Sequence, residues 1–572
     1  MVWKNFIAIT TLTAATLAGT AFAGDQSHSV GTAPGQQKRG VRLGAPELRL
    51  TLKDAVALAL EHNINLEVAR LDLASAREGV LSATGIFDPG FRVDFSESSQ
   101  KSPAVNQLAG SQQKRRVLDL ALDSLLPTGA LASVSWTNAR SELTGSKLYL
   151  LNPSYSAGFG FQVNQPLLDG FGTDVNRAGI EVAKKSRDIS RLQFEQVVIT
   201  TVQAVEGAYW NLVYTRENLT VKQQSLKLAQ DLLDQTRTRV RIGTSAPIDI
   251  VQSEATVAAR EQEIIVAENE VEKAADLLKR LMGFENVDDW ASVVVPVDTF
   301  DVKIELPELD SAISMGLDRR LELKARELEL GIRETTLLVA DSTVKPKLNL
   351  NIGYGFSGVA GTYLVPDPVT GKISSTGWGD ALQQIGKTDY PQWTAGLTFS
   401  YPLGNNQARA QRAQRRFELT SAEQNFALQR QDVIADVRNT VRGLHAAAKS
   451  IAAAVKAREL AARNLDAEQK KFANGMSTNY QVLQIQEDLA AAQVAELNSR
   501  VAYRVAAVLY KVAEGDLLDS MEVTLRDEPE AAEPHTLWRD VSWLKARPAS
   551  ASKDKTEAPA HEAGQNEKGE PR

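Results

Sequence analysis

The side chains in this chain that could do covalent or metal chemistry are few, and they do not converge. His28, His62, His445, His535 and His561 are scattered and read as solvated side chains. Cysteine is absent, which excludes disulfides, thiolate metal sites and cysteine nucleophiles. Gly170-x-Gly172 has no third glycine at 175 and follows no parallel-strand pattern, so it is not a dinucleotide fingerprint. Gly371-Lys372 is followed by Ile373 and has no glycine five positions earlier, so it is not a phosphate loop. We therefore expect no enzyme, no cofactor and no metal site. What stands out instead is a pair of glycine-centred turns, Arg239-Val240-Arg241-Ile242-Gly243-Thr244 and Lys471-Phe472-Ala473-Asn474-Gly475-Met476-Ser477. Gly243 and Gly475 read as C-terminal helix glycines able to take positive φ, with Thr244, Ser245, Ser477 or Thr478 capping the next helix. Asp249 then reads as a first-turn acid favoured by the helix dipole.

Long helices must position those turns. Arg177 to Arg241 is an uninterrupted helical pattern of 65 residues, about 98 Å at 1.5 Å per residue. Leu52 to Gly85 and Ile248 to Met282 are shorter, and end to end they span about 103 Å. The pattern recurs as Leu309 to Asp341, Arg409 to Ala473 and Tyr480 to Glu514. The recurrence is a duplication: Leu52 to Pro89 matches Leu309 to Pro346 at an offset of 257, and Arg177 to Gly283 matches Arg409 to Gly515 at 232, without a gap. Val198, Val202, Val205, Tyr209 and Leu212 form a seam at steps of four and three, and Ile434, Val437, Val441 and Leu444 repeat it.

Between the matched blocks the period changes to two. Leu348, Leu350, Ile352, Tyr354 and Phe356 alternate with small or polar residues, as do Trp393, Ala395, Leu397, Phe399 and Tyr401. Runs of about nine residues suit tilted membrane strands. The first copy carries four such runs, Phe91 to Phe95, Leu118 to Leu122, Ala132 to Trp136 and Phe159 to Val163, with a Leu126-Pro127-Thr128-Gly129 turn joining the middle pair. Lys4, the apolar stretch Phe6 to Ala18 and Ala21-Phe22-Ala23 read as a signal peptide over residues 1–23. No later segment is long and apolar enough for a spanning helix, so any crossing must use strands. A net charge of −7 without a basic block argues against nucleic acid.

These features together resemble the TolC-like outer membrane efflux proteins over roughly Leu50 to Leu518. The marks are the duplication, the Gln165-Pro166-Leu167-Leu168 and Tyr401-Pro402-Leu403 steps, Phe171-Gly172, Ala208-Tyr209-Trp210 and the two turns. The resemblance implies a mainly α fold with β: an internally duplicated coiled-coil α-helical barrel continuous with a trimeric transmembrane β-barrel. The division expected is a signal peptide (1–23), a disordered linker (24–50), a first repeat (51–283), a connector (284–308), a second repeat (309–518) and a flexible tail (519–572). It further implies a passive outer membrane exit duct that extends into the periplasm. The implied partners are outer membrane lipid, a periplasmic adaptor (membrane fusion protein) and an inner-membrane pump of the RND, ABC or a similar class, in tripartite efflux or type I secretion.

On that resemblance the tips, Gly243, Thr244, Gly475, Met476 and Ser477, dock the adaptor. The narrowing of the tunnel falls at Asp249, Gln252, Gln481 and Gln484. The family's acidic rings lie where this chain has Gln481 and Gln484, and its closed-state tyrosine and arginine lie where this chain has Phe472 and Ser477. The lock must therefore differ or be weaker. The family pattern is four strands per protomer, so the extra hairpin leaves the barrel open between twelve and eighteen strands. A periplasmic coiled-coil adaptor or scaffold is the alternative, but it would have one hairpin between small β domains.

Overall fold

The computed structural model describes residues 47–103, 111–145, 150–299, 304–366 and 371–523. The expected signal peptide and nearly all of the expected linker and tail lie outside these residues. The elements run β1 (Glu47–Leu50), α1 (Leu52–His62), α2 (Ile64–Thr84), β2 (Gly90–Lys101), β3 (Gln112–Leu125), β4 (Leu131–Thr144), β5 (Leu151–Pro166), α3 (Ala178–Arg241) and α4 (Pro247–Leu281). They continue with β6 (Val293–Pro296), α5 (Leu309–Arg319), α6 (Leu321–Thr343), β7 (Lys347–Tyr363), α7 (Trp378–Gly386), β8 (Pro391–Ser400), α8 (Asn406–Ala473) and α9 (Asn479–Glu514). The strand β1 corrects the reading of residues 24–50 as wholly disordered, because it pairs in parallel with β6.

The helices α3 and α8 have 64 and 68 residues, about 96 and 102 Å. Each folds back on its successor, α4 or α9, and the shorter helices pack along them: α1 and α2 on α3, α5 and α6 on α8. The seam residues Val198, Val202, Val205, Tyr209 and Leu212 are buried, as are Val437, Val441 and Leu444. At the start of the second seam Val433 is buried and Ile434 only half-buried, a rotation of one position from the sequence reading.

Two helices expected to be continuous are broken. Leu52 to Gly85 divides at Asn63 (φ −68°, ψ 121°), whose side chain accepts from the Asn65 amide at 2.9 Å and donates to the Leu281 carbonyl at 2.8 Å. Leu309 to Asp341 divides at Arg320 (φ −61°, ψ 126°). Its guanidinium donates to Asp436 at 2.5 Å and to Glu322 at 3.0 Å. Neither break carries glycine or proline; each is held by tertiary partners, which helical periodicity does not reveal.

Half-buried ion pairs along the hairpins give the fold an acid limit. Burial opposes charging of Glu496, but hydrogen bonds from Arg500 (2.7 Å) and Arg458 outweigh it and hold the carboxyl below its ordinary value of 4.5. Glu322 is lowered in the same way, its burial outweighed by Arg320. A lowered folded-state pKa stabilises above the unfolded value, and that contribution is lost as pH falls through the folded one. The thermal midpoint in detergent is thus expected to hold from pH 7 to about 5 and to fall below about 4.5. Glu496→Gln should lower the midpoint at pH 7 and shrink its fall on acidification; a parallel downward shift at every pH would refute the linkage.

The strands form one six-stranded antiparallel sheet in the order β2-β3-β4-β5-β7-β8. All four runs of the first half and both of the second join it, and the Leu126–Ala130 turn closes β3 onto β4 with Gly129 at φ 90°. The strands exceed the nine residues expected, reaching 16 in β5 and 17 in β7. The pairings align one row across the whole sheet: Phe91, Leu122, Val134, Phe161, Tyr354 and Trp393. Side chains of one row share a face. The next row toward the distal end contributes Val93, Leu120, Trp136, Phe159 and Phe356 to the same face. The opposite face carries small and polar residues, among them Ala121, Ser135, Gly160, Gly355 and Gln392.

The helix α7, absent from the sequence reading, lies on the apolar face just distal to those rows. Ala381 is buried against Ala157 and Ala360. Trp378 stacks on Trp136 with ring centroids 6.3 Å apart, and its indole donates to Asn138 at 3.0 Å. The Gln384 amide bonds both the N–H and the C=O of Val359, at 2.9 and 3.0 Å. A Cβ on Gly358 would stand 2.0 Å from the Ala381 carbonyl, so only glycine admits the helix here.

Candidate functional site

The two helix hairpins end alike, in a turn made by backbone geometry. At the first, the Gly243 N–H donates to the Val240 carbonyl at 3.0 Å and the Thr244 N–H to the Arg239 carbonyl at 2.9 Å, with Gly243 at φ 81°. At the second, Gly475 donates to Phe472 at 3.0 Å and Met476 to Lys471 at 2.9 Å, with Gly475 at φ 75°. This paired bonding is the Schellman motif, and it needs a left-handed residue at the glycine position. It recurs at the opposite ends of the hairpins, at Gly283 and Gly515.

The caps differ from the sequence expectation. Thr244 and Ser245 do not cap α4; Ala246 holds that position, and Asp249 reaches back to accept from its N–H at 3.2 Å. Thr478 does cap α9, accepting from the Gln481 N–H at 3.3 Å. Ser477 instead donates to Glu468 at 2.5 Å, and Lys471 donates to the same carboxylate at 3.0 Å. These bonds hold the Glu468 carboxyl below its ordinary value.

Side chains tie the first tip to the second. Arg239 donates to the carbonyls of Phe472 (2.5 Å) and Ala473 (3.2 Å), and its guanidinium lies 4.0 Å from the centre of the Phe472 ring. The carbonyls at the end of α8 are a natural site for a cation. Deeper, Asn479 is 4% exposed. It accepts from Thr236 at 3.2 Å and donates to Ser253 at 2.9 Å and to the Asp249 carbonyl at 3.3 Å, joining α3, α4 and α9. Leu232, Phe472, Val482 and Leu483 form a small apolar cluster beside it. In the sequence Arg239 is visible only as part of the turn, and the one signal for Asn479 is an amide where the α9 seam should be apolar. Gln481 and Gln484 are exposed, while Asp249 and Gln252 are half-buried. His62 and His445 lie far apart in sequence on different helices, and among the described residues no three His, Asp or Glu side chains are placed to hold a metal ion.

A sequence model of the outer membrane efflux proteins matches residues 55–284 and 312–510, three quarters of the chain. The chain belongs to the outer membrane efflux protein family. Among relatives, the pyoverdine export outer membrane protein OpmQ of Pseudomonas putida is 26% identical over 180 residues, covering 31% of this chain and 37% of that protein. The outer membrane protein TolC of Escherichia coli is 23% identical over 343 residues, covering 59% of this chain and 66% of TolC. The matched stretches thus span less than two thirds of both relatives. In fold, the chain is similar to CusC with a TM-score of 0.59 at 15% identity, covering 86% of this chain and 99% of that one. CusC is described as forming a transmembrane channel. This chain resides in the outer membrane and extends into the periplasm.

Proposed function

We propose that this protein is the passive exit duct of a tripartite efflux or type I secretion system. Three copies form a β-barrel in the outer membrane and a continuous helical tunnel below it, and solutes delivered by an inner-membrane pump leave through it without chemistry at this chain. The observation that carries the reading is one sheet with a continuous apolar face in the same unit as two helical hairpins of about 100 Å. A sheet with free edges cannot remain open in lipid, and assembly with other copies removes them. We assign residues 51–283 and 309–518 as the two repeats and 284–308 as their connector. Supporting this, the Schellman glycines recur 232 positions apart and the helix breaks 257 positions apart. The tips Gly243, Thr244, Gly475, Met476 and Ser477 take the periplasmic adaptor; Asp249, Gln252, Gln481 and Gln484 line the narrowing.

The test is the mass in detergent followed by planar-bilayer conductance. A trimer with a small, discrete conductance is expected. A soluble monomer or dimer without channels would return the sheet to a soluble role and favour a scaffold. The amides at Gln481 and Gln484 carry no charge, and the Asp249 carboxylate is engaged by the Ala246 amide. Trivalent cations should therefore block the conductance more weakly than they block a tunnel with carboxylates in place of Gln481 and Gln484, and block at micromolar concentration would overturn this expectation.

A further inference from the structure

The sheet ends in two edges left unpaired among the described residues, β2 and β8, and its register states how they fit together. We propose that β8 of one copy pairs antiparallel with β2 of the next, so that three copies of a six-stranded sheet close a barrel of eighteen strands. The proposal rests on the trimeric reading above and adds the strand count, the closing edges and their alignment.

Direction permits it. The strand β2 runs away from the helices and β8 returns to them, so an even set of six presents an outward strand at one edge and an inward strand at the other. Copies joined edge to edge are antiparallel at every seam.

The alignment comes from a staircase already present in one copy. In the row Phe91, Leu122, Val134, Phe161, Tyr354 and Trp393, each residue stands some way from the periplasmic end of its strand. That distance is one residue on β2 (to Gly90), three on β3 and β4, five on β5, and seven on β7 and β8 (to Lys347 and Ser400). The strand ends therefore step by six residues over the five spacings from β2 to β8, and an unstepped seam to the next copy makes this six residues per six spacings. With spacings of about 3.4 Å along and 4.8 Å between strands, this is a tilt of about 35°, within the range of closed barrels. The last step of the staircase, from β7 to β8, is zero, and carrying that alignment across the seam sets opposite Trp393 the β2 residue that also stands seven from its strand end, Glu97.

This alignment pairs Ala395 with Phe95, Leu397 with Val93 and Phe399 with Phe91 of the next copy. The shift is even, so every apolar side chain stays on the apolar face. All ten residues of β8 find partners on β2, from Pro391 opposite Ser99 to Ser400 opposite Gly90. Phe91, Phe95, Leu397 and Phe399 are 69, 64, 63 and 65% exposed in the single copy. Leaving the extra hairpin outside would cut the apolar row that crosses all six strands.

The absence of cysteine makes the test clean. Opposed Cβ atoms on antiparallel strands lie about 4.5–5.5 Å apart, close enough for a disulfide to form after a small adjustment. The Phe95→Cys/Ala395→Cys double variant, oxidised in isolated outer membranes, should migrate as a covalent trimer on a denaturing gel and revert with reductant. Phe91→Cys/Trp393→Cys, aligned without the shift, should not cross-link. A link from Ala395→Cys to Trp136→Cys on β4, or no link in a protein that is trimeric by mass, would overturn the eighteen-strand closure and leave the duct reading intact. A fast-migrating monomer closed on itself would overturn it too. A cysteine-free parent that is not trimeric in detergent would remove the duct reading itself.

Discussion

An Asn479→Leu protein is expected to hold its periplasmic tips open, with an open probability in planar bilayers at least about tenfold above that of the unsubstituted protein. Asn479 is buried where three helices meet, and its single amide bonds Thr236, Ser253 and the Asp249 carbonyl. Leucine keeps the branching of the side chain, though it is bulkier, and it removes these bonds and leaves the Asp249 carbonyl with one fewer donor. Breaking such a buried set costs about 1–3 kcal/mol, and about 1.4 kcal/mol is already tenfold in an equilibrium. In the proposed trimer the loss repeats in each copy. Arg239→Ala should act in the same direction more weakly, because its contacts to Phe472 and Ala473 are partly exposed. The sheet is far from the tip, so in the proposed trimer heat resistance should be unchanged in both variants. Unaltered conductance in Asn479→Leu with normal assembly would show that this node does not restrain the tunnel.

The second large effect separates two glycines of identical backbone type. Gly243 and Gly283 both adopt positive φ, at 81° and 77°. A Cβ on Gly243 meets nothing within 4 Å, whereas on Gly283 it would lie 2.1 Å from the His62 carbonyl oxygen and 2.5 Å from the carbonyl carbon. That backbone is the break between α1 and α2, anchored by Asn63 to Leu281, and it cannot retreat without losing the anchor. Gly243→Ala should cost about 1 kcal/mol of left-handed strain and leave assembly near normal. Gly283→Ala should cost more than about 3 kcal/mol and reduce heat-resistant protein in the outer membrane by tenfold or more. Equal yields of the two variants would mean the junction is more pliable than its contacts indicate.

The long helices were legible because their burial is periodic over many turns: Val198 through Leu212 keep one register, and only the Val433 and Ile434 exchange departs from it. The six strand runs were legible for the same reason at period two. Their membership of one sheet was not, because alternation shows which side chains share a face and says nothing of which strand lies alongside. The breaks at Asn63 and Arg320 are fixed by Leu281 and Asp436, more than a hundred residues away in sequence. At the tips, Gly243 and Gly475 announce themselves by residue type. Arg239 and Asn479 matter through what they touch, and a single sequence shows no touching. The helix α7 was hidden because nine residues make too short a pattern, and its place is set by Gly358 and Trp136 on other strands.

The helix on the outward face also fixes how deep the protein sits. Its Asp380 and Gln383 are exposed, and hydrocarbon offers such groups nothing to bond. The acyl chains must therefore stop below it, at the row of Trp136, Phe159 and Phe356. From Leu348, the first apolar residue of β7, to Gly358 beneath α7 is ten strand steps, about 28 Å along the membrane normal at a tilt of about 35°. That is close to the hydrocarbon thickness an outer membrane offers. In the proposed duct the helix works as a waterline: it lets the barrel sink until the lipid headgroups reach it, and so sets the height from which the tunnel hangs toward whatever it meets below.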